Sequence, residues 1–385
     1  MSDGAAAAAA EFPGLVDMHA HPAMNAYFWG RDLRKHYFAG STFNPLASLT
    51  DFPMLRKGDV RVLWSVLHVP EEEQLHSPPL RLLARLAPGG RKILELDDAW
   101  EVTLRMMDAM ERQVARAGDE FAVAHSNAEL DAALAAGKRV FVHTIEGGHQ
   151  LSAGLPEGDV QARLDRIDQL AERGLASLIL AHLFPNDIAG HSECIPASQH
   201  KILFWRLDTK VDDSRGLTET GKAVVKRMAE RRIIPDLTHC SPASRRDVYA
   251  LVGKEIPVVA THIGVQALNP VPVNMSEEDV REIAASGGAV GVIFMPYWLE
   301  PSHPKNGLEA IWRTMEQINA WSGGEWQHVA IGTDFDGWTD PPDDCKSAGE
   351  LGRVREMLES KGLGRQEVEA VLGTNARRVL RAGWR

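Results

Sequence analysis

Several short words in this chain carry residue types that do metal or hydrolytic chemistry. Asp17-Met18-His19-Ala20-His21 alternates two imidazoles with apolar neighbours. On a strand, a side-chain period of two points His19 and His21 the same way, ready for one metal ion. The plain alternative is a pair of partly exposed histidines. Thr144-Ile145-Glu146-Gly147-Gly148 sets a carboxylate before two glycines, which let the backbone turn tightly beside an ion or substrate. A turn or helix-capping glutamate would look the same. His143 lies three residues before Glu146 and so faces the other way on a strand; it reads as structural, as does His149. Further polar endings are Ala181-His182, Asp236-Leu237-Thr238-His239, Thr261-His262 and Gly332-Thr333-Asp334-Phe335-Asp336-Gly337.

These words need elements to hold them. They close six of eight short β-branched, apolar runs: Leu15–His21, Val60–Val69, Arg139–Glu146, Ala176–His182, Ile233–His239, Pro257–His262, Ala289–Met295 and His328–Asp334. Amphipathic stretches separate or follow them: Ala99–Ala117, Ala128–Ala136, Gln161–Arg173, Glu219–Arg231, Glu277–Ser286, Leu308–Trp321 and Ala348–Ser360. Alternating strand and helix predicts a parallel sheet, and eight such units predict a (β/α)8 TIM barrel. A doubly wound open sheet is the alternative, but no Gly-rich phosphate loop follows the first strand. Six of the eight strands then finish in His, Glu or Asp at the face where such barrels build active sites. A fully buried, satisfied histidine explains any one of them; it does not explain six endings drawn from only 15 histidines and the acids. The segments Pro22–Asp59, Glu71–Asp98 and Leu183–Gly216 are long insertions on that face.

Composition narrows the function. The 385 residues carry a net charge of −11, which argues against a nucleic-acid partner or an anionic-membrane surface. No apolar run approaches a membrane helix. Cys194, Cys240 and Cys345 are far apart and odd in number, so they read as reduced thiols of a reducing compartment, taken as cytoplasmic. Residues 1–12 include the alanine run Ala5–Ala10 without a preceding basic residue, which reads as a disordered or helical tail rather than a secretory leader. Residues 13–385 read as one metallohydrolase domain.

The order of these words resembles the renal (membrane) dipeptidase family of the metal-dependent amidohydrolase superfamily. The matching stretches run from Val16 to Leu380. They are Val16-Asp17-Met18-His19, Ile145-Glu146-Gly147-Gly148-His149, Leu180-Ala181-His182 with Asn186 four residues on, Gly216-Leu217-Thr218, Asp236-Leu237-Thr238-His239, Thr261-His262 and Gly332-Thr333-Asp334-Phe335-Asp336-Gly337. Gly373-Thr374-Asn375-Ala376-Arg377-Arg378-Val379-Leu380 looks like the family's closing helix. The resemblance implies two zinc ions per chain. His19 and His21 would hold the first, His239 and His262 the second, and Glu146 would bridge them. Two cations would lower the pKa of a shared water. Asp334 would take its proton, and His182 would position or polarise the substrate carbonyl, with Asn186 nearby. Asp336 is the rival to Asp334. Related barrels also form homodimers.

Two positions depart from the family. His21 stands where the family has Asp, so the first ligand pair becomes His-x-His. Val273, in Pro270-Val271-Pro272-Val273-Asn274, stands where the family has an Arg that binds the substrate's free carboxylate. Valine cannot bind a carboxylate. The expectation is therefore a zinc hydrolase of a dipeptide or similar small amide. The alternative is an amidohydrolase-type enzyme acting on a non-peptide amide, ester or lactone. A non-catalytic metal-binding barrel is the third reading. A basic side chain from another loop, such as Lys201 or Arg206, would restore dipeptide recognition.

Overall fold

The structure is a computed structural model that describes residues 14–39, 47–75, 81, 82, 85, 91–94, 98–194, 209–302 and 307–385. Lys201, Arg206 and the expected N-terminal tail lie outside the described residues. Among them, nine strands form one all-parallel sheet: β1 (Leu15–Ala20), β2 (Val60–Leu67), β3 (Phe121–Ala124), β4 (Arg139–Glu146), β5 (Ser177–Ile179), β6 (Ile234–Asp236), β7 (Ala260–Ile263), β8 (Val290–Val292) and β9 (Val329–Ile331). Eight run in the order β6-β5-β4-β2-β1-β9-β8-β7. The two ends meet through a parallel bridge, Asp236 to Val259, with Leu237 N donating to the Val259 carbonyl at 2.8 Å. The sheet is thus the expected eight-stranded barrel, joined at its seam by a bridge rather than a full ladder.

β3 is additional. It pairs with the first half of β4, outside the barrel path. Four residues, Phe-Ala-Val-Ala, were too few to register as a run. The helix Pro242–Val252 was also not anticipated; it starts on a Ser241 cap with Pro at its first position. The expected helices are present, most within a residue at each end. Their starts follow from cap chemistry: Asp98, Ser126, Asp159, Thr218 and Ser276 each accept a backbone N–H of the first turn.

Most strands are shorter than their apolar runs. β5, β6 and β9 end at Ile179, Asp236 and Ile331, each three residues before the His or Asp that closes its run. Those closing residues lie on the turns that leave the barrel, not on its ladders. β1 also shifts register against β2 between Asp17 and Ala20. The main apolar core packs helices on the barrel, while the C-terminal helix Asn375–Gly383 and Trp384 join Val16, Val62 and Val140 in a second cluster. Asp17 and Asp236 are buried ties between neighbouring strands. Asp17 accepts from Thr333 N and Oγ1, and Asp236 accepts from the N–H and hydroxyl of both Thr238 and Thr261. Burial pushes their carboxyls up to about 7 and about 6, despite these hydrogen bonds.

Candidate metal centre and active site

The ends of β1, β4, β6, β7 and β9 converge. His19 and His21 leave β1, Glu146 ends β4, His239 follows β6, His262 lies in β7 and Asp334 follows β9. His239 and Asp334 both have left-handed backbones, with φ of 65° and 59°. Non-glycine residues avoid that region, and such strain concentrates where function holds it. Here it turns two side chains back into the barrel mouth. Asp334 is fixed there by its N–H, which donates to the His19 carbonyl at 2.8 Å.

All five side chains expected as metal ligands meet, and all are buried. His19 Nε2 and His21 Nε2 are 3.1 Å apart. They lie 3.5 and 3.6 Å from the two oxygens of Glu146. His239 Nε2 and His262 Nε2 are 3.2 Å apart, and 3.2 and 3.5 Å from Glu146 Oε1. Ligands 2.0–2.1 Å from a tetrahedral zinc are about 3.3 Å from one another. The residues therefore fit such an ion without rearrangement, and Glu146 reaches both histidine pairs. The chemistry of the set agrees. Burial holds His19 and His262 well below the ordinary imidazole value, while His21 and His239 are raised against burial, His21 by Asp334 and Glu146 and His239 by Cys194 and Glu146, so a bound cation would take the place of their protons. Burial opposes a charge on Glu146, yet the imidazoles of His19, His182, His239 and His21 hold its carboxyl well below the usual range. Thr261 Oγ1 lies 3.3 Å from His19 Nδ1 and 3.2 Å from His262 Nδ1, orienting both rings from behind. Cys194 Sγ does the same for His239 Nδ1 at 3.0 Å.

Asp334 Oδ1 lies 3.0 Å from His21 Nε2 and 3.7 Å from His19 Nε2. Burial pushes its carboxyl up to about 6, with His21 pulling the other way. Its rival Asp336 is elsewhere. It does not share a strand face with Asp334, since β9 ends at Ile331 and both residues have left-handed backbones. Asp336 accepts from Leu49 N, Ser48 Oγ and Thr50 Oγ1, so it pins the 48–50 loop. Gly337 makes room for the pair His21 and Asp334: a Cβ there would sit 2.0 Å from Asp334 Oδ1 and 2.7 Å from His21 Nε2.

His182 borders the cluster, its ring 4.7 Å from that of His239. Its Nδ1 donates to Glu71 Oε2 at 2.7 Å, which leaves Nε2 free to face a substrate. Glu71 also accepts the N–H groups of Leu183 and Phe184. Sequence reasoning missed Glu71, because in Glu71-Glu72-Glu73 it reads as one of a solvated acidic run. His68 was missed as well. It follows β2, its Nδ1 donates to the Glu146 carbonyl at 3.1 Å, and its ring lies 4.4 Å from His182. Burial, reinforced by His182, pushes it down to about 3. The only signal was a histidine at the end of an apolar run, the same signal used for the others.

The two substrate-side expectations are placed less directly. Asn186 spends its amide on the loop after β5: Nδ2 donates to the Leu180 carbonyl, and Oδ1 accepts from Ile188 N and Ala189 N. Val273 is buried in the main apolar core at 1 % exposure, and its carbonyl accepts from Arg245 at 2.7 Å. A cavity of about 880 Å³ opens beside the site, lined by Val69, Glu71, His149, Phe184 and Asn186 among others. None of the five clustered side chains lines it; Glu71 is common to its wall and to the His182 contact.

A parallel barrel whose mouth gathers histidines around a buried carboxylate defines a class of metal-site proteins. Residues 7–383 match the family described as membrane dipeptidase (peptidase family M19), and the chain belongs to that family. It is similar to the uncharacterized protein in the pqqA 5′ region of Klebsiella pneumoniae, with 31% identity over 176 residues, 45% of this chain and 63% of that protein. Dipeptidase ataJ of Aspergillus terreus is 24% identical over 292 residues, 72% of this chain and 66% of that one. The chain spans a little under two thirds of each of these curated relatives. Among solved structures, the dipeptidase AC superposes with a TM-score of 0.74 at 19% identity, covering 96% of this chain and 98% of that one. A Rhodobacter sphaeroides metallopeptidase, solved with a phosphinate mimic of the dipeptide L-Ala-D-Ala, gives 0.75 at 19%, covering 96% and 99%. At these identities the likeness speaks for the barrel. The resemblance read from the sequence words is thereby confirmed.

Proposed function

We propose that the chain is a zinc-dependent hydrolase that cleaves a dipeptide or a closely related small amide. The observation that carries this reading is the ring of four imidazole nitrogens around Glu146 at ligand-to-ligand spacing, with Asp334 3.0 Å from one of them. His19 and His21 would hold one zinc, His239 and His262 the other, and Glu146 both. When bound, the ions would polarise the scissile carbonyl and acidify a water. Asp334 takes the proton of the attacking water at its carboxylate and passes it to the leaving amine. Its pKa, raised by burial, suits a group that must both accept and release a proton near neutral pH. His182, held by Glu71, offers Nε2 to the carbonyl oxygen as negative charge develops there. Asn186 keeps the loop that carries His182 in shape.

A second reading is favoured by Val273. By its place in the sequence Val273 stands where the family has its carboxylate-binding Arg. The structure buries it in the core, so it would not touch substrate and that position supplies no cation, and a substrate carboxylate held without one would cost several kcal/mol. That supports a neutral amide, ester or lactone as substrate. A matched pair decides between them: one dipeptide, and the same dipeptide amidated at its C-terminus. Hydrolysis of the free acid at least ten times more efficiently supports the dipeptide reading. Preference for the amide supports the second.

The three cysteines are buried free thiols, which fits a reducing, cytoplasmic setting. Among the described residues no helix is long and apolar enough to cross a membrane.

A further inference from the structure

A second group of ligand-type side chains lies on the opposite side of β4 from Glu146. His143 precedes Glu146 by three residues, so it points outward, toward the helix Ala99–Arg116. It is fully buried, and neither ring nitrogen has a hydrogen-bond partner. Ser65, its register neighbour on β2, is also buried with a hydroxyl that has no partner. A buried imidazole with no hydrogen bond at either nitrogen is unusual, because each unmet polar atom costs stability. What faces it explains the arrangement. Glu111, on the Ala99–Arg116 helix, places Oε1 3.9 Å from His143 Nε2, too far for a hydrogen bond. The same oxygen is 3.3 Å from His125 Nε2, on the turn after β3. His125 is aimed from behind: Glu129 Oε2 accepts from its Nδ1 at 3.1 Å and from its backbone N–H at 2.9 Å. A carboxylate on one imidazole nitrogen, with the other turned to a common point, is the usual support of a metal-binding histidine. The three ligand atoms lie within 4.8 Å of one another.

We propose that Glu111, His125 and His143 form a second, outer divalent-cation site, with zinc the favoured ion. Two imidazoles and a carboxylate suit zinc, and three protein ligands leave one position for water. The His125 and Glu111 side chains are about one-third exposed, 34 % and 37 %, so an ion can enter from solvent. Arg173 is the local competitor, with Nη2 3.5 Å from Glu111 Oε1; it is already paired to Asp108 at 2.7 Å. The site would staple the helix and the β3 turn to the outside of the barrel, and it takes no part in hydrolysis.

The test is a Zn²⁺ titration followed by calorimetry, on whole protein stripped with chelator and then returned two equivalents of zinc. The wild type should bind one further equivalent. Glu111→Gln and His125→Gln should each weaken that event at least tenfold, with hydrolysis unchanged. His143 is not the variant of choice, since its burial couples it to folding. A variant of the central site, His19→Ala with His239→Ala, should keep the outer equivalent, which separates this inference from the proposed function. A wild type that takes up no further zinc at 100-fold molar excess overturns it, as does a further event that neither Glu111→Gln nor His125→Gln weakens.

Discussion

At the scale of single residues, two carboxylates in one word do different work. Asp334 and Asp336 are two positions apart, and both have left-handed backbones. One meets His21; the other holds the 48–50 loop. Asp334→Asn should keep the fold and the metal content but lower turnover by about 10²-fold or more, the usual worth of a general base. Asp336→Asn should instead lower the melting temperature, with turnover per folded molecule largely kept. Steady-state kinetics, metal analysis and thermal unfolding on both variants check this; the reverse pattern would exchange their roles. Glu71 acts through another residue. Glu71→Gln keeps a hydrogen bond to His182 but removes the charge that fixes its Nδ1 proton. We expect a fall in kcat of about tenfold with KM and metal content little changed, taking the lower range for support of a catalytic group. A loss of bound metal instead would mean that Glu71 serves the ligands.

At the scale of elements, strand endings are where the sequence was informative and where it misled. His19, Glu146 and His262 lie within their strands, and the period of two correctly set His143 and Glu146 on opposite sides of β4, although β1 and β7 break register beside His19 and His262. His182, His239 and Asp334 lie beyond the ladders, on turns whose left-handed or irregular backbone leaves no periodic trace. Their residue types were legible; their directions were not. His68 and Glu71 were hidden for another reason. Their partners, the Glu146 carbonyl and His182, are 78 and 111 residues away, so only the closed barrel brings them together. The seam of the barrel offers a test. Asp236 ties β6 to β7 and its folded carboxyl is pushed up to about 6 by burial. A raised acid contributes its full stability below the unfolded pKa of about 4 and loses it as pH rises through the folded value. Between about pH 4 and pH 6 the wild type should therefore lose on the order of 3 kcal/mol relative to Asp236→Asn, whose amide does not titrate. Urea unfolding of both proteins at the two pH values measures it. A constant difference would mean that the folded carboxyl titrates at its ordinary value, and a wild type that gained stability over this range would mean that Asp236 is ionised throughout.

At the scale of the whole molecule, the barrel follows from alternation alone, and the site follows from where alternation stops. Eight apolar runs close a ring whose polar endings share one mouth, so side chains from residue 19 to residue 334 meet within a few ångströms. Substrate was not legible in the same way. The expectation for the far end of a substrate rested on Val273, and the structure buries that side chain in the apolar core, away from the cavity wall. The central claim is that the imidazoles around Glu146 hold the ions that hydrolysis needs. The most direct measurement is the rate of dipeptide or dipeptide-amide hydrolysis as Zn²⁺ is returned to chelated protein, with Glu146→Gln treated identically. Activity should vanish on chelation, return as zinc rises and level off at two equivalents bound to the central site, while Glu146→Gln stays inactive at every zinc level. Full activity in the chelated wild type, or equal recovery in Glu146→Gln, would contradict it.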